Sequence, residues 1–173
     1  MINNRELQEG DAYHNRGRTI RKQVRRERSI IYGAQAIKTQ LGLLARPTKD
    51  YDIFSRTPKK SARNLQRTLD LNSGGDNYYA TPSKFHKGTH KVYHIGKDMR
   101  KGTRDDIGVA DFTKTPIPRP KTKQINGIHY VRLSETIKDK KKALRDKQYE
   151  FRHKKDRQDL NIIQSSRRFK KWM

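Results

Sequence analysis

Apolar residues recur along this chain in two spacings, which predict short strands alternating with helices. Residues 29–32 form a short apolar run typical of a strand, and residues 34–41 combine helix-forming side chains with apolar positions four apart. Residues 58–71 predict a second helix, because a proline suits the first turn and alanine and leucine recur at helical spacing. The first half of the chain therefore predicts a strand, a helix, a second strand and another helix.

The second half contains shorter apolar runs that are separated by turn-forming residues. Residues 78–80 predict a short strand, and residues 90–95 and 107–112 predict a hairpin across a basic loop. Residues 124–131 predict another strand pair, which follows a proline-containing linker. Residues 132–173 predict a basic helical segment and tail. We expect an α+β fold with a mixed sheet and flanking helices.

Two acids in the second predicted strand are the first indication of chemistry. Asp50 and Asp52 are two residues apart, so in a strand both point to one face while Tyr51 and Ile53 point to the other. Adjacent like charges are unfavourable unless a cation lies between them, and Mg²⁺ prefers oxygen ligands of this kind. The alternative is that both acids are simply solvated at a strand end or turn.

The Gly33-Ala34 step precedes this acidic pair and begins the first short helix. Glycine allows the backbone to approach a ligand closely, and the free N–H groups of a new helix attract anions. Gly42 suits the end of the same helix. The sequence thus predicts a phosphate site beside a metal site, which is the combination that a nucleoside triphosphate requires.

These residues resemble the signature of a known superfamily. The Gly33-Ala34 step followed by Arg46-x-Thr48-x-Asp50-Tyr51-Asp52-Ile53-Phe54 is similar to that of the DNA polymerase beta-like nucleotidyltransferases, and the nearest branch is that of the AbiEii-type abortive-infection toxins. Residues 107–112 resemble the strand with the third metal-binding carboxylate. Residues 133–140 and 155–160 resemble the C-terminal helical segment, so the resemblance covers roughly residues 29 to 163. The family usually has Gly-Gly or Gly-Ser where this chain has Gly33-Ala34.

The resemblance implies a minimal nucleotidyltransferase core and a set of site residues. Three carboxylates would be catalytic and would hold two Mg²⁺ ions, and four residues would bind the nucleotide phosphates. The catalytic and metal-binding set is Asp50, Asp52 and Asp111; the phosphate-binding set is Gly33, Ala34, Arg46 and Lys49. Asp105 and Asp106 are rivals of Asp111, although their position after a Gly- and Arg-rich turn is typical of loop acids. The implied reaction transfers a nucleoside monophosphate from an NTP to an RNA hydroxyl.

The charge of the chain adds a second, independent indication. Its 42 Lys and Arg residues exceed its 18 Asp and Glu residues, which gives a formal charge of +24. Self-repulsion on this scale favours a polyanionic partner, and nucleic acid is the natural one. The basic runs have few large apolar residues beside them, which argues against a membrane-binding helix. The sequence shows no secretory signal pattern, and cysteine is absent. We expect a protein of the cytoplasm or of a nucleoprotein particle.

The basic residues concentrate at the two ends, which suggests a basic arm (1–28), a core (29–131) and a C-terminal segment (132–173). The arm is either a helix docked through Ile20 and Val24 or a flexible tail that becomes ordered on phosphate. Asp156 and Asp159 are expected to form salt bridges within the C-terminal helix. The predicted nucleic-acid contacts are Arg18, Arg21, Lys22, Arg25, Arg26, Lys140, Lys141, Arg145, Arg167, Arg168, Lys170 and Lys171.

Two functions are compatible with these features. One is the nucleotidyltransferase, which could belong to a viral or mobile element. The other is a non-catalytic nucleic-acid-binding component of a large nucleoprotein assembly on the same fold, which the extreme charge favours. A third possibility, a toxin or antitoxin component of a toxin–antitoxin system, overlaps with the first. The three acids Asp50, Asp52 and Asp111 favour the enzyme, because a polyanion-binding scaffold has no use for them. The sequence leaves RNA and DNA open, with RNA suggested only by the resemblance.

Overall fold

The computed structural model describes the backbone of residues 4–42 and 45–169, and the side chains of residues 15–42 and 45–166. Within this part, five α-helices and seven strands form one α+β unit, which confirms the predicted fold class. The helices are α1 (Asn4–Glu27), α2 (Gly33–Leu41), α3 (Pro58–Ser73), α4 (Leu133–Ala143) and α5 (His153–Phe169). The strands are β1 (Ile30–Tyr32), β2 (Tyr51–Ser55), β3 (Tyr78–Pro82), β4 (His90–His94), β5 (Ile107–Lys114), β6 (Thr122–Ile125) and β7 (Ile128–Val131).

The strands form one mixed sheet in the order β3-β4-β5-β2-β1-β7-β6. The two predicted hairpins are present, since β4 pairs antiparallel with β5 and β6 pairs antiparallel with β7. The central pairs are β2 with β5 and β1 with β7, and both are parallel. Parallel neighbours place corresponding side chains on the same face, so β2 and β5 deliver their residues to a common surface.

The two faces of the sheet have different roles. Apolar residues of β2, β4 and β5 pack against α3 in the main core, where Ile53, Val92 and Leu65 have no exposed surface. Helices α2, α4 and α5 contact one another on the other side, and α2 also contacts β1, β2 and β7. Alternation along β2 therefore sends Ile53 into the core and Asp52 and Phe54 to the α2 side.

Helix α1 resolves the alternatives for the basic arm in favour of the docked helix. Ile20 and Val24 are 1% exposed and belong to the core. Buried polar contacts fix the same end: Gln23 Nε2 donates to the Ser61 carbonyl at 2.8 Å, and Ser61 Oγ donates to Glu27 at 2.6 Å. The apolar stripe of α1 thus faces the domain, while Arg18, Lys22 and Arg26 of the same helix are exposed.

Candidate active site

Asp52 and Asp111 lie side by side on the α2 face of the sheet. They are register partners in the parallel pair of β2 and β5, and both line a cleft of about 790 Å³. The cleft is bounded by the start of α2, by the loop between β3 and β4, and by α4, the 3₁₀ turn Lys147–Arg152 and the start of α5. Among the predicted rivals, Asp105 and Asp106 instead accept backbone N–H bonds in their own loop.

Gly33 begins α2 directly beside Asp52. Its φ angle is +65°, and a Cβ added at this position would overlap the Asp52 carboxylate. A residue with a side chain would therefore meet both backbone strain and a steric clash. Glycine is required here because it lets the carboxylate lie against the first turn of the helix, where N–H groups are not yet used by the helix itself. No side chain caps this helix, since its N-cap residue is Tyr32.

The electrostatics of Asp52 favour a bound cation. Burial, followed by the charges of Asp50 and Asp111, raises the pKa of Asp52 from 3.8 to about 7. Arg152 and Lys140 act in the opposite direction without overcoming these effects. Part of the Asp52 surface remains accessible from the cleft, although protein atoms surround the side chain. A carboxyl group in these surroundings becomes fully ionised most readily when a cation joins it.

Lys91 neutralises part of this negative charge. Its Nζ lies 2.8 Å from Asp111 Oδ2, and both side chains are about a quarter exposed, at 27% and 26%. Burial works to lower the pKa of Lys91, but the hydrogen bond and charge of Asp111 outweigh it, so the pKa is raised. Lys91 was not among the residues that sequence reasoning identified. Its position in β4, at register with Asp111 in β5, depends on a strand pairing that single residues do not reveal.

A buried ion-pair cluster forms the far side of the cleft. Lys140 Nζ of α4 lies 2.6 Å from Asp156 Oδ1 and 2.8 Å from Asp159 Oδ2, and all three residues are 5% exposed or less. Arg46 and Arg152 complete the cluster from its edges, through Nε contacts of 2.8 Å to Asp159 and 2.9 Å to Asp156. The cluster fixes α4, α5 and the segment before β2 relative to one another.

Aromatic and hydroxyl side chains form the wall nearest β1. The rings of Tyr32 and Phe54 stack with centroids 3.9 Å apart and planes 7° from parallel. Tyr32 Oη lies 3.2 Å from Thr113 Oγ1, which lies 3.0 Å from Thr89 Oγ1. Burial and the Asp52 charge raise the pKa of Tyr32, so its hydroxyl stays protonated. Tyr32, Phe54, Thr89 and Thr113 line the same cleft as the two carboxylates.

The predicted acidic set is only partly brought together. Strand β2 begins at Tyr51, so Asp50 directly precedes it. Asp50 is exposed, lies outside the lining of the cleft, and accepts a hydrogen bond of 2.8 Å from Thr48 Oγ1. Within the described residues, no group of three His, Cys, Asp or Glu side chains is arranged to hold a metal. The structure thus offers two adjacent carboxylates, with Asp50 acting on Asp52 through its charge.

The predicted phosphate-binding residues also divide into two groups. Gly33, Ala34 and Arg46 line the cleft with the carboxylates, whereas Lys49 is exposed outside it. Arg46 already binds Asp159, and its side chain retains 28% exposure towards the cleft. The first turn of α2 is therefore the part of this set that is available to a phosphate.

The predicted nucleic-acid contacts require one correction. Lys140 is buried in the ion-pair cluster, because Asp156 and Asp159 of α5 hold its ammonium group, so it is not part of a basic surface. Arg152 also binds Asp156 four residues along the chain, as the helical spacing predicts. The remaining predicted contacts that are described have exposed side chains: Arg18, Arg21, Lys22, Arg25, Arg26, Lys141 and Arg145. The side chains of Arg167 and Arg168, and all of Lys170 and Lys171, lie outside the described residues.

The burial of Asp156 and Asp159 has a signal in the sequence. With Leu160 and Ile163 they follow the spacing of one helix face, and all four are buried. An acid on the apolar face of a helix needs a cationic partner, and the partner here comes from α4. Across the described part of the chain, no helix has the length and apolar character needed to cross a membrane.

Comparisons with known proteins add a fold and no sequence family. No protein-family model and no curated protein sequence matches the chain. Among solved structures, the chain is similar to the Megavirus polyadenylate synthase, with a TM-score of 0.69, 17% identity, and coverage of 89% of this chain and 31% of that one. It therefore spans less than a third of that protein.

Two Helicobacter pylori structures are also similar to this chain. For JHP933 the TM-score is 0.56 at 14% identity, covering 94% of this chain and 67% of that one. For a candidate nucleotidyltransferase the TM-score is 0.50 at 14% identity, and the match covers 74% of this chain and 56% of that one. Identities this low establish a shared fold, which is of the nucleotidyltransferase type. None of the three descriptions names the AbiEii branch, so that assignment stays a prediction.

Proposed function

We propose that this protein is a metal-dependent nucleotidyltransferase that transfers a nucleoside monophosphate from an NTP to a hydroxyl of a nucleic acid, with RNA favoured. The observation that supports it best is the register pairing of Asp52 and Asp111 beside the uncapped start of α2. This arrangement joins a cation site to an anion site within one cleft. The Megavirus neighbour, whose description names polyadenylate synthesis, supports the same class of reaction.

The donor set fits one hard cation shared with a nucleotide. Mg²⁺ is commonly bound by one or two carboxylates together with substrate phosphates, and Asp52 and Asp111 supply two. The raised pKa of Asp52 supports the fit, because a cation would relieve the repulsion that causes it. When bound, the ion would neutralise the carboxylates and the triphosphate and would acidify the attacking hydroxyl. A second ion has fewer ligands available, since Asp50 lies outside the cleft lining.

The residues of the chain account for the remaining steps. The free N–H groups in the first turn of α2 bind the terminal phosphates, and Arg46 and Arg152 add positive charge on the far side of the cleft. The acceptor hydroxyl oxygen attacks the α-phosphorus, a new P–O bond forms, and the bond to the departing pyrophosphate breaks. The hydroxyl proton passes to solvent water in the cleft, while Lys91 holds Asp111 Oδ2 and leaves Oδ1 as the oxygen that would hold the ion.

A transfer assay tests the proposal. The protein is incubated with Mg²⁺, each labelled NTP in turn, and total RNA or single-stranded DNA, alongside Asp52→Asn and Asp111→Asn. We expect label in the nucleic acid only with Mg²⁺, and a loss of at least 100-fold in both variants, because each removes a charged ligand. Asp76→Asn, which changes an exposed acid on another loop, is the control and should retain activity. Equal transfer by the three variants would contradict the assignment.

A non-catalytic role in a nucleoprotein assembly is the second candidate, and one observation favours it. Lys91 already neutralises Asp111, which a scaffold could use to cancel a charge that repels phosphate. In that case no nucleotide would be transferred, and Asp52→Asn would bind nucleic acid slightly more tightly than the unmodified chain. The transfer assay and a binding titration of the same variant therefore separate the two functions.

A further inference from the structure

A second concave surface lies on the α3 side of the sheet, away from the carboxylates. It has a volume of about 660 Å³ and lies between α3, the start of β4 and the ends of β2 and β5. Six cationic side chains and no acidic one line this basic groove: Arg56, Lys59, Lys60, Arg63, Arg67 and Lys114. Lys59, Arg63 and Arg67 recur every four residues on α3, so they form one row along the exposed side of that helix.

The charges of the basic groove are not balanced within the described chain. None of the six cations forms a salt bridge with any described carboxylate, whereas Arg46, Lys91, Lys140 and Arg152 of the cleft all do. His90 also lines the groove, and its buried Nδ1 has no hydrogen-bond partner among the described residues. Burial, then the charges of Lys59 and Arg63, lowers the pKa of His90. Mutual repulsion of this kind is relieved by a polyanion.

The basic groove and the carboxylate cleft lie on opposite faces of the sheet and meet at the end where β2 and β5 stop and β4 begins, since Thr113 lines the cleft and Lys114 lines the groove. Lys114 follows Asp111 by three residues along β5, and Arg56, just beyond the end of β2, follows Asp52 by four, which separates the two surfaces by about 10–13 Å along the strand direction. That distance is about three or four nucleotides at the roughly 3.4 Å spacing of a stacked strand. The loop between β3 and β4 connects the two surfaces, because Phe85, His86 and Lys87 line the cleft and Gly88 lines the groove.

Phe85 indicates a single strand rather than a duplex. It is 88% exposed, between Lys84 and His86, on a loop closed by Ser83 and Thr89. The Ser83 hydroxyl accepts the backbone N–H groups of Phe85 and His86 at 3.3 and 3.2 Å, which holds the turn. An exposed aromatic ring among cations can stack on an unpaired base, and a duplex has no free base face to offer along its length.

We infer that the basic groove binds the sugar–phosphate backbone of the single-stranded acceptor, a few nucleotides from its reacting hydroxyl, and that Phe85 stacks on a base between the groove and the carboxylates. The identification of this strand as the acceptor rests on the proposed function, whereas the binding of a strand rests on the groove alone. A flat anionic membrane fits a concave surface poorly, and large apolar side chains are missing from the lining of this groove.

The test compares two triple variants that remove the same charges. Lys59→Gln/Arg63→Gln/Arg67→Gln changes the groove, and Lys97→Gln/Arg100→Gln/Arg104→Gln changes the exposed basic loop between β4 and β5. Affinity for a single-stranded oligonucleotide is measured from low to moderate salt. We expect the groove variant to bind roughly 10- to 50-fold more weakly near 0.15 M salt, and its salt slope to fall by about 2, which is 0.7 for each of three phosphates. The loop variant should change much less.

Two further measurements locate the effect. Phe85→Leu should weaken binding roughly 5- to 100-fold without changing the salt slope, because stacking releases no counterions. The imidazole NMR signals of His90 should shift when the oligonucleotide is added to the loop variant. Equal losses in the two triple variants would overturn the inference, and so would a His90 signal that does not move. A groove variant that no longer binds anionic vesicles but still binds the oligonucleotide would also overturn it.

Transfer kinetics distinguish this inference from the proposed function. In an active enzyme, the groove variant should raise KM for the acceptor and leave KM for the nucleotide unchanged. An unchanged acceptor KM would overturn the inference while leaving the transferase assignment in place. Absence of transfer by every form, together with selective loss of strand binding in the groove variant, would overturn the proposed function and support the groove as a strand-binding surface.

Discussion

The carboxylate cleft and the basic groove contain the same cationic residue types in opposite electrostatic settings. The cleft is lined by seven Lys and Arg residues and five acids, and its deepest cation, Lys140, has two carboxylates within 2.8 Å. The groove is lined by six cations and no acid. Four of the seven cleft cations are held by described carboxylates, whereas none of the six groove cations is, so their charge is available to a partner.

This difference assigns separate roles to the excess positive charge. A buried cation that is fully paired positions helices and tunes neighbouring acids, as Lys140 does for α5 and Asp52. An exposed cation without a partner contributes little to the fold and much to the attraction of phosphate. A formal charge of +24 is thus compatible with a carboxylate cleft, because Arg46, Lys91, Lys140 and Arg152 of its lining are each paired with a carboxylate.

The largest expected effect comes from breaking the paired region. Lys140→Met leaves Asp156 and Asp159 buried with one fewer cation, so we expect a loss of about 3–5 kcal/mol in the free energy of unfolding. Lys138→Met, on the same helix but 72% exposed, should change it by less than about 0.5 kcal/mol. Chemical denaturation measures both. Equal losses in the two variants would show that the cluster is not a special element of the fold.

Asp52 should make stability depend on pH in the absence of metal. Because its pKa is raised from 3.8 to about 7, the folded state binds more protons than the unfolded state between these values. Stability therefore falls as pH rises through that window, by an amount on the order of 2–4 kcal/mol. Asp52→Asn should remove this loss and be more stable than the unmodified chain at pH 8, and Asp76→Asn should not. Chemical denaturation at pH 4.5 and pH 8 measures these stabilities. A difference between Asp52→Asn and the unmodified chain that is the same at both pH values would refute the account.

Gly33 links the helix start to the carboxylate, and its substitution should have the next largest effect. Gly33→Ala introduces positive-φ strain and an overlap with Asp52, so we expect a loss of about 2–4 kcal/mol. Gly74→Ala is the matched control, since Gly74 has φ +70° but no atom within 4 Å of an added Cβ. It should lose only about 1–2 kcal/mol. If both variants lose the same amount, Gly33 is needed only for its backbone conformation.

The smallest effect is expected from the unpaired region. Lys59→Gln/Arg63→Gln/Arg67→Gln should leave stability unchanged or raise it by up to about 1 kcal/mol at low salt, because it removes repulsion without breaking an ion pair. Glutamine has a helix propensity similar to that of lysine and arginine, so α3 itself is unaffected. The gain should disappear at high salt. A clear loss of stability would mean that these cations have structural partners.

Much of the fold can be read from the sequence, since local patterns determine it. Strand β1, the Gly33 start of α2 and the Pro58 start of α3 occur where apolar spacing and helix-terminus residues predict them. Asp111 was identified because it ends an apolar run, and it lies beside Asp52 as expected. The alternation that would place Asp50 on the face of Asp52 needs strand geometry at both residues, but β2 begins at Tyr51 and Asp50 lies outside the cleft lining.

The features that escaped prediction depend on contacts between distant segments. Lys91 reaches Asp111 only through the pairing of β4 with β5, and Lys140 reaches Asp156 only through the packing of α4 on α5. Sequence reasoning treated Lys140 as one of many surface lysines, since nothing local marks it as buried. The row of Lys59, Arg63 and Arg67 can be read from the sequence, because the three residues are four apart. The groove beside it forms only where the ends of β2 and β5 lie next to α3.

The most direct test of the central claim is a calorimetric titration with a non-hydrolysable NTP analogue, with and without Mg²⁺. If Asp52 and Asp111 hold an ion against the triphosphate at the start of α2, Mg²⁺ should raise the affinity of the unmodified chain at least tenfold. The same addition should have little effect on Asp52→Asn, and the groove variant should behave like the unmodified chain. An affinity that is independent of Mg²⁺, and equal in Asp52→Asn and the unmodified chain, would contradict the account.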